Sequence, residues 1–195
     1  MKKIAITGGI GSGKSTAIKY IEEMGYPVFS CDEIYKKIRQ SAAYVKRISS
    51  EFPNAVVEGQ IDSKKLSEIV FLDKSSLEKL NKISHPLIME ELLKVMDASN
   101  STLVFAEVPL LFEGGFEKLF DKIIVITRNR DERIYAVQKR DGCTNEEVER
   151  RLSSQFDYDS EEGKRRVKAA NAHLIENYGR KTELEEKLKT LIEKF

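Results

Sequence analysis

Residues Thr7 to Thr16, close to the start of the chain, have the types and spacing of a phosphate-binding loop. They read Thr-Gly-Gly-Ile-Gly-Ser-Gly-Lys-Ser-Thr, and so contain a glycine, four residues and then Gly-Lys-Ser. In such a loop the backbone amides converge on an anion, and the following helix adds its free N-terminal amides and the positive end of its dipole. The pattern therefore predicts a binding site for a nucleoside triphosphate.

Individual residues of the loop have separate expected roles. Lys14 is expected to reach the outer phosphates of the nucleotide as a point charge, and the Ser15 hydroxyl is expected to bind Mg²⁺. The other residues expected to contact the nucleotide are the glycines and hydroxyl residues of the loop, namely Gly8, Gly9, Gly11, Ser12, Gly13 and Thr16. A nucleoside triphosphate and Mg²⁺ are therefore the expected ligands of the loop.

The sequence on both sides of the loop favours the strand and the helix that must position it. Lys3–Thr7 is short, apolar and β-branched, which is typical of a buried parallel strand. After the loop, apolar residues recur at helical spacing and a glycine follows as a helix stop; these are Ala17, Ile18, Ile21, Met24 and Gly25. Strand, glycine loop and helix therefore follow one another as the motif requires.

Four further apolar runs predict strands, at residues 26–31, 103–106, 123–127 and 172–176. Residues 33–100 are mostly helical by pattern, with breaks near Phe52–Asn54 and Glu58–Gln60, and residues 184–195 form an amphipathic closing helix. This alternation predicts an α/β fold with a five-stranded, parallel, doubly wound sheet. Ligands bind beyond the carboxyl ends of such strands. The side chains expected there are Thr7, Asp32, Glu107 and Thr127.

Two of these strand-end residues are acids with a chemical role to consider. Asp32, at the end of the second strand, is positioned to orient an acceptor hydroxyl and take its proton, or else to cap the helix that begins at Glu33. Both roles are open on the pattern alone. Glu107 is a minor candidate for a position near the metal, the alternative being a surface acid.

A basic stretch lies between residues 128 and 151. It contains Arg128, Arg130, Arg133, Lys139, Arg140, Arg150 and Arg151. Arginine side chains suit phosphate oxygens, so these residues are interpreted as a lid that closes over the polyphosphate and excludes water. The alternative is a solvated helical surface whose charges are balanced by Asp131, Glu146, Glu147 and Glu149.

Composition narrows the protein class further. The chain has 195 residues, of which 33% are charged, yet its formal net charge is only +1. Nothing in that balance favours nucleic acid or a membrane surface as a partner. Two distant cysteines, Cys31 and Cys143, and two histidines argue against a zinc site or a disulfide framework. We expect a cytoplasmic protein without a membrane span, acting as a monomer or weak homo-oligomer.

Taken together, these residues resemble those of the dephospho-coenzyme A kinases along nearly the whole chain. Besides the loop, the similar segments are Ile61-Asp62, Leu66, Val70-Phe71, Leu80-Asn81, His85-Pro86-Leu87-Ile88, Val108–Glu113, Arg140-Asp141, Arg151–Gln155 and Asn177 with Gly179. The His-Pro-Leu-Ile and Pro-Leu-Leu-Phe-Glu segments carry the resemblance, since the loop alone is shared by many families.

The resemblance implies transfer of the ATP γ-phosphoryl group to the ribose 3′-hydroxyl of dephospho-coenzyme A, the last step of coenzyme A synthesis. It implies one domain over residues 1–195 with the three-layer fold of P-loop kinases. That domain has a nucleotide core (about 1–32, 101–127 and 170–195), a helical acceptor-binding region (about 33–100) and a lid (about 128–160). The resemblance gives Asp32, Lys14 and Arg140 catalytic roles. It also places Asn177 with the nucleotide, and His85, Pro109 and Leu110 with Asp32 against the acceptor.

The sequence departs from the family pattern at four places. Ser30-Cys31-Asp32 replaces Asp-Ala-Asp, Ala136 replaces a lid arginine, Ser63 follows Asp62 where arginine is common, and His173 follows Ala172 where aspartate is usual. Arg133, one turn before Ala136, is a partial substitute. The alternatives are another small P-loop kinase, acting on a nucleoside monophosphate or small metabolite, and a nucleotide-binding regulatory module. A GTPase switch is disfavoured because Asn81-Lys82-Ile83-Ser84 lacks the aspartate of a guanine-reading motif.

Overall fold

The computed structural model describes all residues from Met1 to Phe195 and divides them into two compact units. The sheet unit comprises Met1–Val28 and Ser99–Phe195, and the helical unit comprises Phe29–Ala98. The strands are β1 (Lys2–Thr7), β2 (Val28–Ser30), β3 (Val56–Val57), β4 (Gln60–Ile61), β5 (Leu103–Glu107), β6 (Lys122–Thr127) and β7 (His173–Glu176). The α-helices are α1 (Lys14–Glu23), α2 (Cys31–Ile38), α3 (Ala42–Glu51), α4 (Ser63–Leu72), α5 (Lys74–Asp97), α6 (Arg130–Asp141), α7 (Asn145–Ser153), α8 (Glu161–Ala169) and α9 (Lys181–Ile192).

The main sheet has five strands in the order β2-β5-β1-β6-β7, which confirms the predicted α/β fold with a parallel sheet. β1 lies at its centre and pairs in parallel with β5 and β6, with Ile6 opposite Glu107 and Thr7 opposite Val125. The same edge continues into β7, where Thr127 lies opposite Glu176. Because the strands run parallel, Thr7, Glu107 and Thr127 end at one edge of the sheet, as predicted.

The sheet unit is held together by an apolar layer between the sheet, α1 and α9. Buried isoleucine, leucine and phenylalanine side chains of β1, β5 and β6 face those of the two helices; the members are Ile4, Ile6, Leu103, Phe105, Ile124, Ile126, Ala17, Ile21, Leu184, Leu188 and Ile192. Each such side chain contributes on the order of 1.5–3 kcal/mol when removed from water. This layer fixes where β1 ends and α1 begins, and so fixes the loop between them.

The helical unit has its own core and its own helix caps. The buried members of that core are Tyr44, Ile48, Phe52, Ala55, Leu66 and Val70. The Tyr44 hydroxyl shares a buried 2.7 Å hydrogen bond with Ser84 Oγ, and burial raises the pKa of Tyr44. Asp62 caps α4 by accepting hydrogen bonds from two backbone amides, and Asp73 caps α5 in the same way.

Three details of the helical unit differ from the sequence expectations. Residues 56–61 form an antiparallel hairpin, β3 and β4, rather than a simple break between helices. The second strand ends at Ser30 rather than reaching Asp32, and Ser30 occupies the position before α2. Asp32 is therefore the second residue of that helix and not its N-cap, so that alternative is wrong. The helix α5 runs through both His85 and Pro86.

None of the helices combines the length and the apolar character that crossing a bilayer requires. Neither Cys31 nor Cys143 forms a disulfide bond.

Candidate active site

The loop between β1 and α1 leaves several backbone amides facing no acceptor in the protein. The amides of Gly11 and Gly13 take part in no backbone hydrogen bond, whereas the Ser12 amide donates to the Gly9 carbonyl. Lys14 and Ser15 are the first two residues of α1, where the amides have no acceptor one turn earlier. Ser12 Oγ is buried and also lacks a partner. Several unpaired donors on one loop, one of them buried, fit a bound polyphosphate.

The Lys14 side chain folds back onto the phosphate loop. Its Nζ donates to the carbonyl oxygens of Gly8 at 2.7 Å and Gly9 at 3.1 Å. Burial lowers the pKa of Lys14, Glu107 and Glu113 raise it, and Arg133 and Arg140 lower it. Glu107 has the strongest effect among these charged neighbours. Lys14 is therefore surrounded by both acidic and basic side chains. Its present hydrogen-bond acceptors are two neutral carbonyl oxygens, which a charged phosphate can replace.

Asn177 fixes the far end of the loop, although it lies beyond β7 in the sequence. Its Nδ2 donates to the Ser12 carbonyl at 2.8 Å, and its Oδ1 accepts from the Gly179 amide at 2.9 Å. Its side chain is 7% exposed. A Cβ at Gly13, which has a φ of 105°, would overlap the Asn177 amide group. Only glycine therefore lets Asn177 approach the loop so closely. This contact supports an indirect role for Asn177 in nucleotide binding. The buried side chain would hold the loop in place rather than contact the nucleotide itself.

The residues around Ser15 fit Mg²⁺. Ser15 is exposed at the start of α1, and the two carboxylates that act on Lys14, Glu107 and Glu113, belong to the same unit. No group of three or more His, Cys, Asp and Glu side chains is placed to hold a metal by itself. Mg²⁺ commonly binds through one or two protein oxygens together with substrate phosphates and water. The Ser15 hydroxyl, with Glu107 and Glu113 acting on the adjacent Lys14, is compatible with such a donor set.

Most arginines of the predicted lid are paired with acids. Arg128 pairs with Glu132, and Arg130 pairs with Glu149. Asp141 receives both Arg140, through Nε at 2.6 Å, and Arg151, through Nη1 at 2.8 Å. The balancing of these charges by acidic neighbours, the alternative considered above, is thus present for four arginines. Arg140 still acts on Lys14, because its positive charge lowers the pKa of that lysine.

Arg133 differs from the other arginines because it is directed at the loop. Its Nε donates to the Ile10 carbonyl at 3.0 Å. A Cβ at Gly9 would overlap its guanidinium group, and one at Gly11 would lie 2.6 Å from its backbone oxygen. The absence of side chains at these glycines therefore allows α6 to lie directly on the loop.

The residues expected to bind the acceptor lie in both units. In the helical unit, Asp32 is exposed in the first turn of α2, and His85 is half-buried on α5, where burial lowers its pKa. In the sheet unit, Pro109 and Leu110 follow β5, and Leu110 is 38% exposed. The surface of Leu110 is thus available to an apolar part of a ligand.

Two contacts to the loop could not be foreseen from local sequence. Gln155 Oε1 accepts the Ile10 amide at 2.8 Å, and the hydroxyls of Tyr158 and Thr7 share a hydrogen bond at 3.2 Å. Burial raises the pKa of Tyr158 to about 12, which keeps its hydroxyl neutral. The sequence indicated Gln155 only as part of segment 151–155, which is similar to the family. No local sequence pattern linked it to the loop.

The fold and the loop together define a class of protein. A parallel sheet with a glycine-rich phosphate loop after its central strand, a lysine at the start of the next helix and arginines beyond β6 is the arrangement of P-loop kinases. The shikimate kinase from Bacteroides thetaiotaomicron shares this fold over 98% of the chain and 97% of its own length, with a TM-score of 0.55 at 13% identity. The protein is a P-loop kinase by fold.

A narrower assignment follows from sequence comparison, in which the family model for dephospho-CoA kinase matches residues 2–183. The chain belongs to the dephospho-CoA kinase family. The dephospho-CoA kinase of Fusobacterium nucleatum is 36% identical over 182 residues, which is 92% of this chain and 94% of that protein.

Solved structures agree with this assignment. TT1252 from Thermus thermophilus is 32% identical and has a TM-score of 0.82, covering 100% of this chain and 97% of its own. The dephospho-CoA kinase from Campylobacter jejuni is 29% identical with a TM-score of 0.67, covering 98% of this chain and 96% of its own.

Proposed function

We propose that this protein transfers the γ-phosphoryl group of ATP to the ribose 3′-hydroxyl of dephospho-coenzyme A, giving coenzyme A and ADP. Membership of the dephospho-CoA kinase family supports the choice of acceptor. The observation that carries the chemistry is the loop with free amides at Gly11 and Gly13 and with Lys14 folded onto its carbonyls. In this proposal residues 33–100 bind the acceptor and residues 128–160 form the lid. Action in the cytoplasm stays a prediction.

At the nucleotide end, the loop amides and the N-terminus of α1 hold the β- and γ-phosphates. Lys14 leaves the Gly8 and Gly9 carbonyls and pairs with phosphate oxygens, a change from neutral acceptors to charged ones. Asn177 keeps the Ser12 end of the loop in place during this exchange.

Mg²⁺ would be held by Ser15 and phosphate oxygens, with Glu107 and Glu113 as the nearby carboxylates. When bound, it would neutralise part of the negative charge on the phosphates.

At the acceptor end, Asp32 orients the 3′-hydroxyl and accepts its proton. The hydroxyl oxygen forms the new bond to the γ-phosphorus, and the bond from that phosphorus to the β–γ bridging oxygen breaks, leaving ADP. Asp32 suits this role because it is exposed and makes no hydrogen bond or ion pair within the protein. Arg140 stabilises the charge on the transferring group, while His85, Pro109 and Leu110 contact the acceptor. The lid excludes water, which is the competing acceptor.

A product assay tests this proposal. The purified protein is incubated with ATP, Mg²⁺ and one acceptor at a time: dephospho-coenzyme A, a nucleoside monophosphate or shikimate. We expect ADP and coenzyme A to form in equal amounts with the first acceptor only. Phosphorylation of a nucleoside monophosphate would instead support a different small P-loop kinase. Slow ATP hydrolysis with no acceptor-dependent product would support a regulatory nucleotide-binding module.

A further inference from the structure

A short segment after α7, residues 155–158, lies against the phosphate loop and is here called the strap. Three of its residues are anchored in succession. Gln155 Oε1 accepts the Ile10 amide at 2.8 Å, and the Phe156 amide donates to Glu113 Oε1 at 2.8 Å. The Tyr158 hydroxyl shares a hydrogen bond with the Thr7 hydroxyl. The strap therefore contacts the loop near its tip and at its origin from β1.

The peptide groups of Ile10 are fully engaged by side chains from outside the loop. Gln155 accepts its N–H, and Arg133 Nε donates to its C=O at 3.0 Å. These partners lie 145 and 123 residues away along the chain. Ile10 therefore has no backbone group left for a phosphate, whereas the Gly11 and Gly13 amides remain free. This division of donors holds the two free amides in an orientation suited to an anion.

Aromatic stacking fixes the strap, and a fixed strap can hold the phosphate loop in place. The Phe156 ring stacks on Phe112 at 4.7 Å, and Tyr158 packs edge-on against Phe156 at 4.9 Å. The Arg166 guanidinium lies 5.6 Å from the Phe156 ring centroid and pairs with Glu117. Aromatic pairs of this geometry are favourable beyond their buried area. The backbone that carries the Gln155 side chain is therefore well anchored.

We propose that Gln155 is a positioning residue for nucleotide binding, which acts through the Ile10 amide to hold the phosphate loop in its anion-binding conformation. This inference rests on the proposed function, because it takes the loop to be the ATP phosphate site. In this role Gln155 acts through the Ile10 amide and not by contact with phosphate or acceptor. Its contribution is to reduce the ordering that the loop must undergo when ATP binds.

The variant Gln155→Met tests the proposal because it keeps the length of the side chain and removes the acceptor. We expect the Ile10 amide to exchange with deuterium faster than in the wild type, and the Kd for ATP and ADP to rise about tenfold, as for one lost hydrogen bond. The KM for ATP should rise with it. The KM for dephospho-coenzyme A and the kcat at saturating ATP should stay close to wild type.

Two further variants separate the hydrogen bond from general effects. Gln138→Met makes the same substitution on α6, where the Gln138 side chain makes no hydrogen bond, and should leave ATP affinity unchanged. Gln155→Glu restores an oxygen acceptor and should return the exchange of the Ile10 amide to the wild-type rate. If Gln155→Met does not fold, Gln155→Ala gives the same comparison with less demand on space.

Wild-type exchange at Ile10 in the folded Gln155 variant, or an ATP Kd within about twofold of wild type, would overturn the proposal. Parallel increases in both KM values with a fall in kcat would also overturn it, because they indicate a general structural defect. Failure of the proposed function gives a different result, since the wild-type protein would then form no coenzyme A whatever Gln155 does.

Discussion

The hydrogen bond from Asn177 to the phosphate loop can be tested by replacing its donor with an acceptor. Asn177→Asp keeps the size and shape of the side chain, and its Oδ1 still accepts from the Gly179 amide. The group that donates to the Ser12 carbonyl at 2.8 Å becomes a carboxylate oxygen, which cannot donate. Two acceptors then face each other at a residue that is only 7% exposed.

The expected effect follows from the cost of an unsatisfied buried group, about 1–3 kcal/mol. The same change places a negative charge beside a loop that binds phosphates, so the loss of ATP affinity should lie towards the upper part of that range. With 1.4 kcal/mol for each tenfold, the Kd for ATP should rise about 30- to 100-fold. The midpoint of thermal unfolding should fall by about 2–12 °C, since each kcal/mol corresponds to about 2–4 °C in a chain of this size.

The pH dependence of the variant provides a further signature. A protonated aspartic acid has an O–H that can donate to the Ser12 carbonyl, and burial favours this neutral form. The ATP affinity of Asn177→Asp should therefore recover partly as the pH is lowered, relative to wild type at the same pH.

Calorimetric titration with ATP and ADP at several pH values measures the predicted change, with thermal unfolding recorded in parallel. Asn145→Asp is the matched control, because it makes the same charge change at an exposed residue of the sheet unit. An Asn177→Asp protein with an ATP Kd within about twofold of wild type would refute the reasoning, since the hydrogen bond would then contribute nothing to loop position.

Three other predictions are simpler. Lys14→Ala should lower kcat/KM by about 10²–10³, whereas Lys19→Ala on the exposed side of α1 should not; equal kinetics would contradict the phosphate role. Asp32→Asn should lower turnover by about 10²–10⁴ with ATP affinity retained, compared with Glu33→Gln; near-normal turnover would exclude the general base. Burial lowers the pKa of His173, so the folded state binds fewer protons than the unfolded state, and the free energy of unfolding should fall as the pH drops below about 6.5. Denaturant unfolding of His173→Phe should show a smaller fall, and an identical pH profile would exclude that cause.

The sheet was predictable because buried parallel strands are short apolar runs that turn residues interrupt. β1, β5 and β6 match their predicted runs within a residue or two. The hairpin β3–β4 was missed because each strand has two residues, which is too short for an alternating pattern. Its turn, Glu58-Gly59, has positive φ at both residues but lacks the Asn-Gly or Asp-Gly signature of such turns.

The phosphate loop was equally visible because its donors are contiguous in sequence. Its supports were not, since the loop is held by side chains that come from far along the chain. Asn177 could be placed beside it only through the family resemblance. Gln155 and Arg133 make contacts across 145 and 123 residues, and no periodicity carries information over such distances. Composition suggested a group of arginines near phosphate, but could not distinguish Arg133, which contacts the loop, from Arg128, which pairs with Glu132.

The arrangement around Asp141 is compatible with the role proposed for Arg140 at the transferring phosphate. The hydrogen bond from Arg140, with support from Arg151, holds the pKa of Asp141 at about 2. Since both ion pairs are open to solvent, neither stabilises the fold strongly. If Arg140 moves to a phosphate oxygen, Arg151 still pairs with the Asp141 carboxylate. The movement of Arg140 therefore leaves Asp141 with a partner. A charged phosphate competes well for the freed guanidinium. Asp141 thus keeps Arg140 on α6 near Lys14 without binding it too firmly to be released.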